Sequence, residues 1–192
     1  IILPDKNELN IKLLHNQKNL ILNTLAIITC FYALGLDLKL IKQFKDVPFS
    51  DGRGNIIKSN FNGRKIEIFD HSYNASPVSM KDTLEIFRNT KKNNLIYIIG
   101  DMNELGIKSD KFHIELIKYL ISIEAKKVIF VGRKLFSYKK RFSRSNFEYY
   151  KNVESVIQKS HQIFNRNSSV FLKGSNSINL RILLNHLKNN QQ

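Results

Sequence analysis

Ile66-Glu67-Ile68-Phe69-Asp70-His71-Ser72-Tyr73-Asn74-Ala75-Ser76-Pro77-Val78-Ser79-Met80 runs from a hydrophobic strand through a polar, proline-stopped loop into a helix. The spacing predicts a strand over residues 66–69 and a helix from about Ser79, with Asp82 and Glu85 in its first turns, near the positive end of the helix dipole. Crossings of this kind are where α/β proteins place ligands. Asn and Pro are also ordinary turn formers, so taken alone the loop fits a plain connection as well as a site.

Working outward, residues 56–61 and 64–69 flank Asn62-Gly63, the strongest short hairpin signal in the chain. Residues 46–55 read as a loop holding Pro48 and the Gly52-Arg53-Gly54 turn, and residues 18–34 have the apolar spacing of a buried helix closed by Gly35. A second short helix is expected around residues 38–44. Beyond the loop the pattern alternates: strand 95–99, helix 110–123, strand 127–131, a basic segment, strand 147–150, helix 153–164, strand 169–173 and a last helix from about Ser177. Near-continuous aliphatic strands alternating with helices predict an α/β fold, a mostly parallel sheet covered on both faces. Two strands end in glycine loops, Gly100-Asp101-Met102-Asn103-Glu104-Leu105-Gly106 and Lys173-Gly174-Ser175-Asn176-Ser177, which places both at the carboxyl edge of the sheet with the loop from Asp70 to Met80.

A chain of 192 residues with 42% hydrophobic side chains can bury one good core, or a core and a small appendage. No apolar run approaches the roughly 20 residues that cross a bilayer. The opening Ile1-Ile2-Leu3-Pro4-Asp5 lacks the features of a signal peptide and has no initiator Met, so the sequence is expected to be a piece of something longer. The single cysteine, Cys30, falls in an apolar helical pattern and reads as core, in a reducing or indifferent compartment. The net charge of +15 is open to nucleic acid, an anionic membrane surface or phosphorylated substrates. The lysines, however, come as scattered pairs, 91–92, 126–127 and 139–140, and not as a stripe interleaved with aromatics.

Together the three loops resemble the Mur ligases. The family pattern D-D-x-Y-N-A-N-P-x-S-M is similar to residues 70–80. G-D-M-x-E-L-G followed by a histidine is similar to residues 100–106 with His113, and K-G-S-x-S to residues 173–177. Gly52-Arg53-Gly54 resembles the family's G-R turn, and Leu22-Asn23-Thr24-Leu25-Ala26 its N-x-L-A helix. The sequence departs from the pattern at His71, where an acid is usual, at Ser76 in place of Asn, and at Asn19 in place of a histidine, with His15-Asn16 nearby but out of register. The nucleotide-binding G-x-x-G-K-[ST] loop is absent, as are the D-N-P-R and G-K-G-H-E signatures of the branch that adds diaminopimelate or lysine. That favours the branch that adds D-alanyl-D-alanine.

The resemblance implies a Rossmann-like domain over residues 62–192, preceded by a helical remnant of a central ATPase domain and its loop over residues 1–61. It implies a cytoplasmic, monomeric, ATP-dependent amide ligase that forms an acyl phosphate on UDP-N-acetylmuramoyl-tripeptide and passes it to the amine of D-alanyl-D-alanine in peptidoglycan precursor synthesis. ATP and magnesium are the implied cofactors, with the magnesium ligands expected upstream, so this stretch is not expected to turn over alone. Neither nucleic acid nor membrane insertion is expected. The resemblance implies nucleotide contacts for Asn23, Arg53, Asp70, Tyr73 and Asn74, with Asp70 on the ribose hydroxyls and Arg53 on a phosphate. It implies substrate contacts for Asp101, Asn103, Glu104, Lys173, Gly174 and Ser175, with Arg53 and Lys173 as the catalytic cations and Lys173 on an anionic group such as the dipeptide carboxylate. Each residue has a plainer reading beside this one. Arg53 and Glu104 fit solvated turn residues, Tyr73 a packing ring, Asp101 a turn cap, Lys173 a structural lysine and His113 a packed helical histidine. A folate-glutamate type ligase and a non-enzymatic basic nucleic-acid-binding module remain the alternatives.

Overall fold

The computed structural model describes residues 1–6, 8–11, 18–41, 50–90 and 94–189. The chain divides into two compact units, Ile1–Pro48 and Phe49–Gln192. In the first, helix α1 (Lys18–Ala33) ends at Gly35, whose φ of +65° closes the helix in the left-handed region. A 3₁₀ turn over residues 38–41 follows, and the rest of the second expected helix, like residues 46–49 of the 46–55 loop, lies outside the described residues. The small core of this unit is Ile28 with Leu3 and Ile41. Cys30 is exposed, which corrects the expectation that it is core. Two residues on from Ile28 is about 200° around the helix, so Cys30 stands on nearly the opposite side from the residue that packs.

The second unit is a six-stranded sheet in the order β1-β2-β6-β3-β4-β5, made of β1 (Asn55–Phe61), β2 (Arg64–His71), β3 (Leu95–Gly100), β4 (Lys127–Val131), β5 (Phe147–Tyr150) and β6 (Ser168–Lys173). β1 and β2 form the antiparallel hairpin, turning at Asn62 and Gly63 with φ of 51° and 71°, and every other pairing is parallel. Because β1 pairs with β2 along its length, the division between units falls at Pro48, ahead of the 61/62 boundary read from the sequence.

Side chains alternate across the sheet as a period of two requires. Phe69, Tyr97, Ile99, Val128, Phe130 and Phe171 meet α2 (Pro77–Thr90) and α3 (Ser109–Ser122) on one face. Ile68, Ile98, Ile129, Val131, Val170 and Leu172 meet α5 (Val153–Gln158), α6 (Ser160–Ile163) and α7 (Arg181–Asn189) on the other. Three elements differ from the sequence expectation. The 153–164 helix is two short pieces, and the last helix starts only at Arg181, after a 3₁₀ turn Asn176–Ile178 that ends at Asn179 in the left-handed region. The basic segment begins with a short helix, α4 (Arg133–Ser137). Among the described residues no helix is long and apolar enough to cross a membrane.

Candidate functional site

β6 lies between β2 and β3, with His71 opposite Lys173 and Ile99 opposite Lys173 from the other side. The loops that follow these three strands therefore leave the sheet side by side at its carboxyl edge. A Cβ on Gly100 would come within 2.9 Å of the Gly174 Cα, and one on Gly174 within 2.8 Å of the Gly100 Cα. Two glycines are what let the backbones meet there.

The loop after β2 is anchored from within. Asp70 is 1% exposed; its Oδ1 accepts the Ser72 N–H at 3.0 Å and its carbonyl accepts the Gly54 N–H at 2.8 Å. One carboxylate oxygen of Asp70 thus shapes the turn from a buried position. The Tyr73 N–H bonds the Gly52 carbonyl at 3.1 Å, and Gly52 packs so tightly on Tyr73 that a Cβ would lie 2.7 Å from its nitrogen. Exposed Arg53 lays its guanidinium 4.1 Å from the centroid of the Tyr73 ring, a cation–π contact that makes one surface of the two loops. Helix α2 starts two residues earlier than expected, at Pro77. Ser76 is its N-cap, with Ser76 Oγ accepting from the Ser79 N–H at 3.3 Å and Ser79 Oγ accepting from the Ser76 N–H at 3.1 Å.

Lys173 is only 4% exposed, and its Nζ donates to the Asn74 carbonyl at 2.9 Å. In this geometry its ammonium holds the loop after β2 and does not reach out to a carboxylate in solvent. Burial lowers its pKa to about 8. Beside it, His71 sits against Phe171, ring centroids 5.8 Å apart, and burial with the Lys173 charge lowers the imidazole pKa to about 4. His71 is therefore neutral at pH 7 and adds no second positive charge beside Lys173.

The loop after β3 is pinned by residues that the sequence offered for substrate. Asp101, 6% exposed, accepts the Lys134 and Leu135 N–H groups at 2.9 and 2.8 Å and so caps α4, while its carbonyl accepts the Ser175 N–H at 2.9 Å. Its burial raises the pKa and the two N–H bonds oppose that. The turn-cap reading is the one this geometry supports. His113 is fully buried. Its Nδ1 donates to the Ser109 carbonyl at 2.8 Å, which leaves Nε2 to accept the Met102 N–H at 3.0 Å and fixes the tautomer. Asn103 joins two loops, its N–H to Ser175 Oγ at 2.8 Å and its Nδ2 to Ser177 Oγ at 2.5 Å. Glu104 is exposed at a φ of 62°, in the left-handed region where a non-glycine residue is strained.

The rim thus sorts into two sets. Arg53, Tyr73, Asn74, Asn103 and Glu104 are exposed on it, whereas Asp70, Lys173, Ser175, Asp101 and His113 are buried beneath it. Asn23 belongs to the other unit, exposed on α1. Sequence reasoning missed Gly132, whose φ of 127° brings the chain so close to Asp101 that a Cβ would fall 2.3 Å from its carboxylate. A glycine directly after an aliphatic strand was the available signal. Among the described residues no group of three or more His, Cys, Asp or Glu side chains is assembled to hold a metal.

A parallel sheet whose adjacent strand-end loops close on a glycine contact, with a cation and polar groups on the rim, defines an α/β ligand-binding domain. The chain belongs to the family described as Mur ligase, glutamate ligase domain, whose model matches residues 52–176. Over 149 residues it is 34% identical to the UDP-N-acetylmuramoyl-tripeptide--D-alanyl-D-alanine ligase of Rickettsia prowazekii, covering 77% of this chain and 32% of that protein. Its fold is similar to a crystal structure of MurF from Acinetobacter baumannii, with a TM-score of 0.75 at 20% identity over 92% of this chain and 39% of that one. It is also similar to the MurF ligase of Thermotoga maritima in complex with ADP, with a TM-score of 0.69 at 19% identity over 91% of this chain and 39% of that one. The chain spans about a third of the length of the curated relative it matches.

Proposed function

We propose that this chain is the amine-accepting part of an ATP-dependent amide ligase that joins D-alanyl-D-alanine to UDP-N-acetylmuramoyl-tripeptide. The observation that carries the reading is the meeting of the loops after β2, β3 and β6 at one rim, tied by Lys173 to Asn74 and by Asn103 to Ser175 and Ser177. The relative at 34% identity carries that activity in its name.

In such a reaction the tripeptide carboxylate takes the γ-phosphoryl group of ATP and ADP leaves. The free amine of the dipeptide then attacks the acyl carbon, loses a proton, and phosphate departs. The negative charge in both steps calls for cations and oriented N–H groups. Arg53, exposed and resting over the Tyr73 ring, is the phosphate contact in this proposal. Asn74, Asn103 and Glu104 supply polar contacts to the zwitterionic dipeptide and the nucleotide, Glu104 meeting its ammonium. Lys173, Asp101, Ser175 and His113 act as positioning residues that fix loop geometry. In this proposal residues 1–61 are the end of an ATP-binding domain, and Asn23, exposed on α1, is a nucleotide contact.

Titration of the chain with D-alanyl-D-alanine, followed by amide NMR shifts, tests the reading. The expected result is saturable shifts confined to residues 72–76, 101–106 and 174–177, absent with L-alanyl-L-alanine. Shifts spread evenly over the surface, or equal for both enantiomers, overturn it. The folate-glutamate alternative predicts the same rim responding to L-glutamate instead.

A further inference from the structure

The basic segment between β4 and β5 presents a cluster of exposed cations. Arg133, Lys139, Lys140, Arg141, Arg144 and Lys151 are all exposed, and Glu148 is the only carboxylate from residue 133 to residue 151. That carboxylate is half-buried, accepts the Tyr150 hydroxyl at 2.6 Å, and offsets one of the six exposed cations at most. Lys134, the remaining cation, is paired with Asp110 at 2.6 Å. Chain crossing brings distant residues together: Lys139 from after α4 and Lys151 from after β5 both stand over the Phe136 ring, 5.8 and 5.2 Å from its centroid. Arg141 covers Phe142 at 5.3 Å.

We infer that this surface docks peripherally on an anionic lipid bilayer. Exposed cations resting on half-buried rings set positive charge directly above apolar surface, the arrangement that suits a charged, deformable headgroup layer. Nucleic acid fits less well. Single strands are held by stacking bases on free aromatic faces, whereas Phe136 and Phe142 already carry ammonium and guanidinium groups. Duplex readers insert a helix or ribbon into a groove, and α4 has only five residues. Because α4 and Lys151 follow the carboxyl ends of β4 and β5, docking would set the rim described above beside the membrane. The inference rests on the patch alone and does not depend on which ligand the rim takes.

The test is co-sedimentation of the full chain with vesicles of phosphatidylcholine alone or with added phosphatidylglycerol. Binding is expected only to the anionic vesicles, falling steeply with salt. At roughly a fivefold effect per surface cation, the triple variant K139Q/K140Q/R141Q should bind on the order of a hundredfold more weakly. The control triple K58Q/R64Q/K65Q, on the hairpin, should bind within about twofold of wild type, since distant charges are screened. Lysine acetylation of the unmodified protein gives a second readout, with Lys139, Lys140 and Lys151 protected by anionic vesicles and Lys58 and Lys65 not. Equal weakening by the two triples, or no protection, overturns the inference in favour of net charge alone. Release from vesicles by pyrophosphate at equal ionic strength overturns it in favour of a small diphosphate ligand. Tighter, patch-dependent binding to a DNA duplex than to vesicles overturns it in favour of nucleic acid.

Discussion

A histidine stands beside the buried Lys173 where the family pattern has an acid, and this one residue sets the electrostatics under the rim. The His71 pKa is lowered to about 4. As pH falls from the ordinary histidine value, the unfolded chain gains a proton at this position before the native one does, so stability is lost between about pH 6.5 and 4. The full effect is about 3 kcal/mol. Urea unfolding of wild type and H71Q at pH 7 and pH 4.5 checks this, the expected outcome being a smaller acid loss in the variant; parallel curves refute it. Lys173, lowered to about 8, contributes the opposite end of the scale. The unfolded lysine keeps its proton while the native one loses it, so this group adds stability as pH rises from about 8 to 10.5. Restoring a carboxylate with H71D should move the Lys173 amine back up toward its ordinary value, read from its Cε chemical shift, because an opposite charge at close range favours the ammonium. None of this was legible in the sequence beyond the bare fact that His71 departs from the pattern. That Lys173 is buried, and spends its ammonium on the Asn74 carbonyl, depends on three strands being neighbours, which spacing does not encode.

At the scale of elements, much of the fold was legible because two signals agree locally. Continuous aliphatic runs gave β3, β4 and β6 to within a residue, and Asn62-Gly63 gave the hairpin. Helix ends were harder, since a cap is a matter of hydrogen bonds and not of apolar period. Pro77 looked like a stop and is the first residue of α2, with Ser76 capping it. S76A should therefore cost about 1 kcal/mol, and S76N, which restores the family residue, should cost little, by thermal unfolding of the variants. A larger loss in S76N than in S76A would contradict this cap assignment. The contact between the loops after β3 and β6 makes a sharper claim. G100A must push apart the Gly100 and Gly174 backbones, where a Cβ would meet Cα at 2.9 Å with Ile178 at 3.2 Å. It should cost about 1–3 kcal/mol in urea unfolding and perturb the amides of both loops in NMR. An unperturbed loop after β6 would show that the two do not depend on each other.

For the molecule as a whole, composition announced a large positive charge but not where it goes. Lys139 and Lys151, twelve residues apart in sequence, meet over Phe136 only because the chain after α4 and the chain after β5 fold back on one another, so that part of the patch belongs to tertiary structure. The same charge bears on stability. Lys and Arg number 31 against 16 Asp and Glu, leaving +15 in a chain of 192 residues. The ion pairs seen among the described residues are exposed contacts such as Lys111 with Glu115 at 3.9 Å and Arg181 with Asp51 at 2.6 Å. Exposed pairs contribute at most about 1 kcal/mol each, and salt screens them. Salt also screens the repulsion among the unbalanced cations, which grows with net charge and opposes the compact state. With 31 basic against 16 acidic residues, the second effect should win. Raising sodium chloride from low ionic strength to about 0.5 M, where the screening length drops to a few ångströms, should therefore raise Tm by a few degrees. Calorimetry of the full chain at fixed pH decides it. A Tm that falls with salt would mean that the attractive pairs dominate the charge balance, and that the six exposed cations of the basic patch sit without mutual strain.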